Sequence, residues 1–186
     1  MKSRKLLFIV LMALAVTTIS NAQKWGVRAG WNSTTFTGSD APSDISARSG
    51  LYVGVYKELP LVKDLLFINP EIQYSNQGAK SSIAGSSKTY TIDYINVPVM
   101  AKLYLIKIIS IEAGPQFGFK INDNFDSPKP ESFDFGVGGG VGVNLPLGLS
   151  VNLRYISGLN KVIKDSNGDK QDIKNAVFQV GAAFQF

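Results

Sequence analysis

Apolar and polar residues alternate along most of the chain after residue 23, and this period of two predicts β-strands. The clearest strand is the last, because the even positions from Ala176 to Phe186 are all apolar and the odd positions are mostly small or polar. No segment after residue 23 shows a helical period. Eight segments predict an all-β chain: residues 25–35, 50–59, 65–75, 89–105, 109–121, 133–145, 149–155 and 176–186.

Two features predict local departures from regular strands. The alternation changes phase near Tyr94 and Ile95, which indicates a β-bulge in the fourth segment. Pro70, Pro98 and Pro115 lie within predicted strands, and each removes a hydrogen-bond donor from the ladder. We therefore expect irregular pairing at these points.

The links between the segments alternate in length. Residues 38–49, 76–88, 122–132 and 158–174 form long polar links, whereas residues 60–64, 106–107 and 146–147 form short ones. Long loops at one end and tight turns at the other are typical of an antiparallel up-and-down barrel that spans the bacterial outer membrane.

Charge decides which face of the wall meets lipid. A charged side chain facing lipid at mid-depth costs about 2–4 kcal/mol, so we expect the polar face to line the lumen as a paired charge network. Its predicted members are Arg28, Glu58, Glu71, Asp93, Lys102, Glu112, Lys120, Asp134 and Arg154. The alternative is a soluble lipocalin-like ligand-binding barrel with the opposite orientation, an apolar lumen and a polar outer face.

Composition excludes several kinds of chemistry. The chain has 186 residues with no His and no Cys, so a catalytic triad with His, a Cys nucleophile, a disulfide and a His- or thiolate-bound zinc are absent. Much of the net charge of +5 comes from Lys2, Arg4 and Lys5, which precede an apolar run at residues 6–19. This pattern predicts a signal peptide at residues 1–22 and a barrel domain at residues 23–186.

Three groups of residues are candidates for chemistry. Glu71 and Glu112 form a possible acid–base pair, but pairing with lumen Arg and Lys residues is the favoured interpretation. The Gly-rich run at residues 136–142 lacks the spacing of a phosphate loop, and we expect it to leave lumen space for longer side chains. Residues 165–172 resemble a calcium loop without its closing Glu. We therefore expect no cofactor and no metal.

Several short motifs resemble a known family. They are residues 25–32, residues 69–75 followed by Gln77 and Gly78, residues 94–98 with Lys102, residues 112–115, and the closing residues 175–186. In order and spacing they resemble the small outer-membrane β-barrels common in Bacteroidetes, which are described as porin-like or PorT-like. The resemblance implies an eight-stranded transmembrane barrel of OmpA/OmpX-like size in the outer membrane of a Gram-negative bacterium.

The functional expectation is a non-enzymatic integral outer-membrane protein with a plugged lumen and a structural or surface-interaction role. Lipid A-modifying enzymes have a similar fold but rely on a catalytic His, which this chain lacks. The alternative is a narrow porin-like pore or a component of a secretion or translocation apparatus. Expected partners are outer-membrane lipid, the barrel-insertion machinery and an unknown partner of the surface loops. No basic stripe indicates nucleic acid.

Phe186 is the predicted assembly signal, because related barrels end in an aromatic residue that the insertion machinery recognises. Deleting Phe186 should lower the yield of folded protein in the outer membrane, measured by membrane fractionation and heat-dependent gel migration. Unchanged folded levels would refute this role.

Overall fold

The computed structural model describes residues 24–41, 45–83, 86–125, 130–161 and 172–186. The predicted signal peptide and most of the calcium-type loop, including Asp165, Asn167 and Asp169, lie outside these residues. The signal peptide therefore stays a prediction, and so does the expectation that this loop binds no metal. No helix in the described parts of the chain is both long and apolar enough to cross a bilayer.

Eight antiparallel strands close into one barrel, in which each strand pairs with its sequence neighbours and β1 pairs with β8. The strands are β1 Lys24–Thr37, β2 Ile45–Val62, β3 Leu66–Ile83, β4 Ser86–Ile106, β5 Ile109–Asp123, β6 Phe133–Asn144, β7 Leu149–Gly158 and β8 Lys174–Gln185. A single 3₁₀ turn, Pro146–Gly148, joins β6 to β7. The predicted up-and-down barrel is confirmed.

The wall is apolar outside and polar inside. In β7, Leu149, Val151, Leu153 and Tyr155 are exposed on the outer face. The residues between them, such as Arg154, are buried in the lumen. Most positions of the other strands follow the same rule, with Val, Leu, Ile and Phe outside and Asn, Gln, Arg and Glu inside, although apolar residues such as Phe36, Ile92 and Val177 also face the lumen. A lipocalin needs the opposite arrangement, so the soluble alternative was wrong.

Several strands are longer than a bilayer requires. β2 and β3 have 18 residues and β4 has 21, whereas about 9–11 suffice for a tilted transmembrane strand. The surplus lies at the end that carries residues 38–44, 84–85, 124–132 and 159–173, which we call the long-link end. The opposite, short-link end carries residues 63–65, 107–108 and 145–148. This long-link extension means that β2–β4 project beyond the membrane.

The prediction of a loop at residues 76–88 was wrong, because β3 and β4 continue through it and leave only residues 84–85 between them. This Ser- and Gly-rich segment lies beyond the bilayer, where no lipid enforces apolar alternation, yet its backbone still pairs from Gln77↔Ile92 to Ser81↔Lys88. The predicted link at residues 38–49 is also too long, because β2 begins at Ile45.

The predicted bulge lies on the neighbouring strand. The β4–β5 register shifts between Asp93 and Tyr94, but the extra residue is Ile121 of β5. Alternation in β4 is unbroken, because Ile92 and Tyr94 face inward and join an apolar cluster. The cluster consists of Phe36, Ala79, Ile92, Tyr94 and Ile173. The sequence showed a change of phase because this end of the lumen is apolar.

The in-strand prolines leave the register unchanged. Pro70 pairs with Val99, and the same register continues at Gln73. Pro98 pairs with Gln116 and Pro115 with Val137, again with no shift at the proline itself. The expected irregular pairing takes another form, because the β3–β4 ladder is interrupted between Pro70 and Gln73 and the β4–β5 ladder between Pro98 and Ala101, opposite Pro115.

Glycines make room for large lumen side chains. A Cβ on Gly181 would lie 2.1 Å from the Tyr52 hydroxyl and 2.6 Å from the Ala29 carbonyl oxygen. In the Gly-rich β6, Gly140 likewise faces the Glu112 carboxylate. Gly139 points outward, and its Cβ would come no closer than 3.7 Å to the nearest atom, a backbone oxygen.

Gly181→Ala should therefore destabilise the barrel by about 1–3 kcal/mol, because the new methyl group displaces Tyr52 or the β1 backbone. The matched control Gly139→Ala should leave stability within about 0.5 kcal/mol. Urea titration in lipid vesicles, followed by heat-dependent gel migration, measures both values. Equal effects for the two variants would contradict the proposed role of Gly181.

Candidate functional site

Four charged side chains from alternate strands meet at one level of the lumen. Arg28 comes from β1, Glu71 from β3, Glu112 from β5 and Arg154 from β7, and we call them the charge quartet. All four are buried, and the most exposed, Glu112, shows only 7% of its surface. Inward residues of alternate strands stack in layers in a closed barrel, which explains how residues so distant in sequence converge.

The four charged side chains of the quartet contact one another. Glu112 Oε1 lies 2.8 Å from Arg154 Nη2, accepts a 2.9 Å hydrogen bond from Arg154 Nε and lies 3.5 Å from Arg28 Nη1. Glu71 Oε2 lies 3.2 Å from Arg154 Nη1 and 3.6 Å from Arg28 Nη1. Each carboxylate therefore contacts both guanidinium groups, and the two positive and two negative charges balance.

Uncharged side chains hold the quartet in place. Gln73 Nε2 donates to Glu71 Oε1 at 3.3 Å, and Gln179 Nε2 donates to the Gln73 side-chain oxygen at 3.2 Å. The Arg28 guanidinium lies 5.2 Å from the centre of the Tyr56 ring, within the range of a cation–π contact. These residues are not among the predicted lumen charges, although their inward register on β2, β3 and β8 was a usable signal.

A second charged cluster lies toward the short-link end. Lys102 Nζ lies 3.2 Å from Glu58 Oε2, and the Tyr104 hydroxyl donates to Glu58 Oε1 at 3.0 Å. Asn69 Nδ2 donates to Glu58 Oε2 at 3.4 Å. Glu58 thus has three donors, and this cluster borders the open mouth of the barrel.

Two other predicted lumen charges lie apart from the quartet, toward the long-link end. Lys120 Nζ lies 2.7 Å from Asp123 Oδ2 and donates to the Pro130 carbonyl oxygen at 2.8 Å. Asp134 accepts a hydrogen bond from Asn175 at 3.4 Å. The nine predicted residues therefore do not form one network.

The placement of Asp93 in the lumen was wrong. It lies on the outer face of β4, where its carboxylate accepts hydrogen bonds from Tyr74, Asn76 and Asn122. These side chains lie on the outer face near the long-link end. The four polar residues therefore mark the border of the apolar band at that end. The misplacement followed from the apparent change of phase at Tyr94.

Phe186 lies at the seam that closes the barrel. Its backbone N–H donates to the Trp25 carbonyl oxygen at 2.9 Å, and its ring lies 6.2 Å from that of Phe184. The side chain is 69% exposed at the short-link border of the apolar band. The terminal aromatic is thus accessible, but its role as an assembly signal stays a prediction.

The lumen offers little scope for catalysis. Glu71 and Glu112, the candidate acid–base pair, each contact two guanidinium groups. Among the described residues, no group of three or more Asp and Glu side chains is arranged to hold a metal ion. The Gly-rich residues 136–142 lie in β6 opposite lumen side chains and do not open a helix, as a phosphate loop requires.

Comparison with known proteins agrees with this architecture. Residues 20–164 match the outer membrane protein beta-barrel domain. The chain belongs to this family. Its outer-membrane location follows from that membership and from the apolar outer wall, and the long-link end is therefore extracellular and the short-link end periplasmic. No curated protein matches the sequence.

Solved structures show the same fold at low identity. Neisserial surface protein A is 12% identical with a TM-score of 0.60, covering 87% of this chain and 97% of that one. Ail, the attachment invasion locus protein of Yersinia pestis, in complex with a heparin analogue, is 14% identical with a TM-score of 0.52, covering 88% and 99%. OprG from Pseudomonas aeruginosa is 11% identical with a TM-score of 0.51, covering 89% and 96%. These likenesses support the eight-stranded outer-membrane barrel.

Removing one member of the quartet should be strongly destabilising. Arg154→Met leaves Glu71 and Glu112 with a single shared cation, and we expect a loss of about 3–5 kcal/mol. The control Lys174→Met removes a partly exposed ion pair with Asp172 at the long-link end and should cost less than about 1 kcal/mol. Urea titration in vesicles measures both. A small effect of Arg154→Met would show that the lumen hydrates the carboxylates instead.

Proposed function

We propose that the protein is a non-enzymatic outer-membrane barrel with a closed lumen, which acts structurally or through contacts made at its extracellular end. The charge quartet carries this proposal, because it fills the lumen at one level with side chains that bond to each other. An eight-stranded barrel is only just wide enough for side chains, so a filled layer leaves no continuous path.

A second obstruction supports closure. Phe36, Ala79, Ile92, Tyr94 and Ile173 pack inside the barrel near its extracellular end, and each is at most 6% exposed. Ions in transit would have to leave water to pass this apolar cluster, which is costly. The charge quartet and the apolar cluster therefore oppose conduction by different means.

The contacts of the charged lumen groups support the proposed absence of enzymatic activity. The lumen carboxylates Glu71 and Glu112 are held by Arg28 and Arg154. The sequence offers no His or Cys as a general base or nucleophile. The lipid A-modifying chemistry of other small barrels has no equivalent group here.

The extracellular extension of β2–β4 is the surface that supports an interaction role. Its described residues and those of the neighbouring links carry both signs, including Lys80, Lys88, Asp40 and Asp172. Asp172 joins two links, because its carboxylate accepts from the Ser39 N–H at 3.3 Å, and this hydrogen bond lowers its pKa. The mixed charge favours a protein or lipid partner over a polyanion such as the heparin analogue bound to Ail.

The location supports two proposed partners. The apolar band, with Trp25 and Trp31 on the outer face of β1, fits outer-membrane lipid. The exposed terminal Phe186 fits recognition by the barrel-insertion machinery during assembly. Membership of the Bacteroidetes PorT-like group is part of the same proposal and rests on the sequence motifs.

The alternative is a narrow pore or a component of a translocation apparatus. One observation favours it, since a cavity of about 630 Å³ enters the barrel from the periplasmic end. A rearrangement of the charge quartet would be needed to extend that cavity across the membrane.

Planar-bilayer recording separates the two functions. The closed barrel should give no steady conductance after insertion, with an open porin in the same lipid as the positive control. Heat-dependent gel migration of the same preparation confirms that the protein is folded. Steady currents on the nanosiemens scale would overturn the closed lumen and support the pore.

A further inference from the structure

The periplasmic mouth of the barrel contains a cavity that the proposed closed barrel does not use. Its volume of about 630 Å³ lies within the range of small-molecule sites, about 300–1,000 Å³. Residues of several strands line it, among them Tyr56, Glu58, Phe67, Lys102, Tyr104 and Ser150. We call it the mouth cavity.

The buried wall of the mouth cavity offers hydrogen-bond donors. Lys102, only 4% exposed, donates to Glu58 Oε2 at 3.2 Å and to Asn144 Oδ1 at 3.4 Å. An ammonium group has three protons, and the described residues supply oxygen acceptors for two, while the centre of the Tyr104 ring lies 4.6 Å from Lys102 Nζ. The Ser150 hydroxyl accepts from Asn152 at 3.1 Å, and its own proton has no acceptor among the described residues. Both groups suit an acceptor that enters from the periplasm.

The charges around the mouth cavity favour a single negative charge. The lining holds the cations Lys24, Lys102 and Lys107 and the anions Glu58 and Asp64. Three cations against two anions leave a net excess of one positive charge. A monoanion restores the balance, whereas a dianion would also be repelled by Glu58 and Asp64.

Aromatic rings provide the complementary apolar surface. Tyr56, Phe67 and Tyr104 line the same cavity, and the Phe67 and Tyr104 rings meet edge to face at 5.3 Å. A bound anion would therefore have an organic body to pack against these rings.

We propose that the mouth cavity binds a small organic monocarboxylate from the periplasmic side. Its carboxylate accepts hydrogen bonds from Lys102 and Ser150, and its apolar body packs against Tyr56, Phe67 and Tyr104. The site lies on the periplasmic side of the charge quartet, so it functions whether or not the barrel conducts.

Benzoate is the probe, and benzamide is its uncharged control of the same shape. Titration of the isotope-labelled full barrel in zwitterionic detergent should shift the amide resonances of Ser150, Asn144 and Tyr104 with benzoate and at least about tenfold more weakly with benzamide. Phenyl phosphate tests the dianion and should bind more weakly than benzoate. Equal binding of benzoate and benzamide, tighter binding of phenyl phosphate, or no shift at the mouth would each overturn the proposal.

Two variants should change benzoate affinity in opposite directions. Lys102→Met should weaken binding at least about tenfold, because the charged donor is lost. Glu58→Gln should tighten binding by about fivefold or more, because the competing negative charge beside Lys102 is removed. Lys80→Met, at the extracellular end, should leave affinity unchanged.

Glu58→Gln also keeps the test decisive if Lys102→Met fails to fold. Heat-dependent gel migration establishes folding for each variant before the titration. Weaker or unchanged benzoate binding in folded Glu58→Gln protein would overturn the assignment of Lys102 as the anion donor.

Discussion

The structure depends on the absence of water in the hydrocarbon of the membrane. Backbone groups in the wall must pair with neighbouring strands, and charged side chains of the wall must turn into the lumen and find partners there. The closed barrel of eight hydrogen-bonded strands pairs the backbone groups. The charge quartet gives the buried charged side chains their partners, because Arg28, Glu71, Glu112 and Arg154 neutralise one another within a few ångströms.

The narrowness of the barrel then decides which residues can surround the quartet. Long side chains on one strand require small residues on the facing wall, as when Tyr52 lies against Gly181 and Glu112 against Gly140. The glycines of β6 and β8 thus leave the space that the Tyr, Arg and Glu side chains of the other strands occupy. The same inward positions therefore balance the charges of the lumen and fill its volume.

Within the bilayer, the sequence predicted the fold well because lipid imposes a strict period of two. All eight strands and the inward position of the quartet followed from that period, but the mutual contacts of the quartet depend on register, which alternation alone does not specify. Beyond the bilayer the constraint ends. The polar composition of residues 76–88 therefore predicts a loop where the strands in fact continue, and the apolar interior at Ile92 and Tyr94 predicts the wrong face for Asp93.

The lumen changes character along the barrel axis, and this order bears on how a solute would meet it. A periplasmic solute first reaches the mouth cavity, where Lys102 and Ser150 offer donors, and then the charge quartet, whose carboxylates already contact both guanidinium groups. An extracellular solute meets the apolar cluster around Tyr94 first. The two ends therefore present different surfaces to solutes, and passage between them requires the quartet to separate.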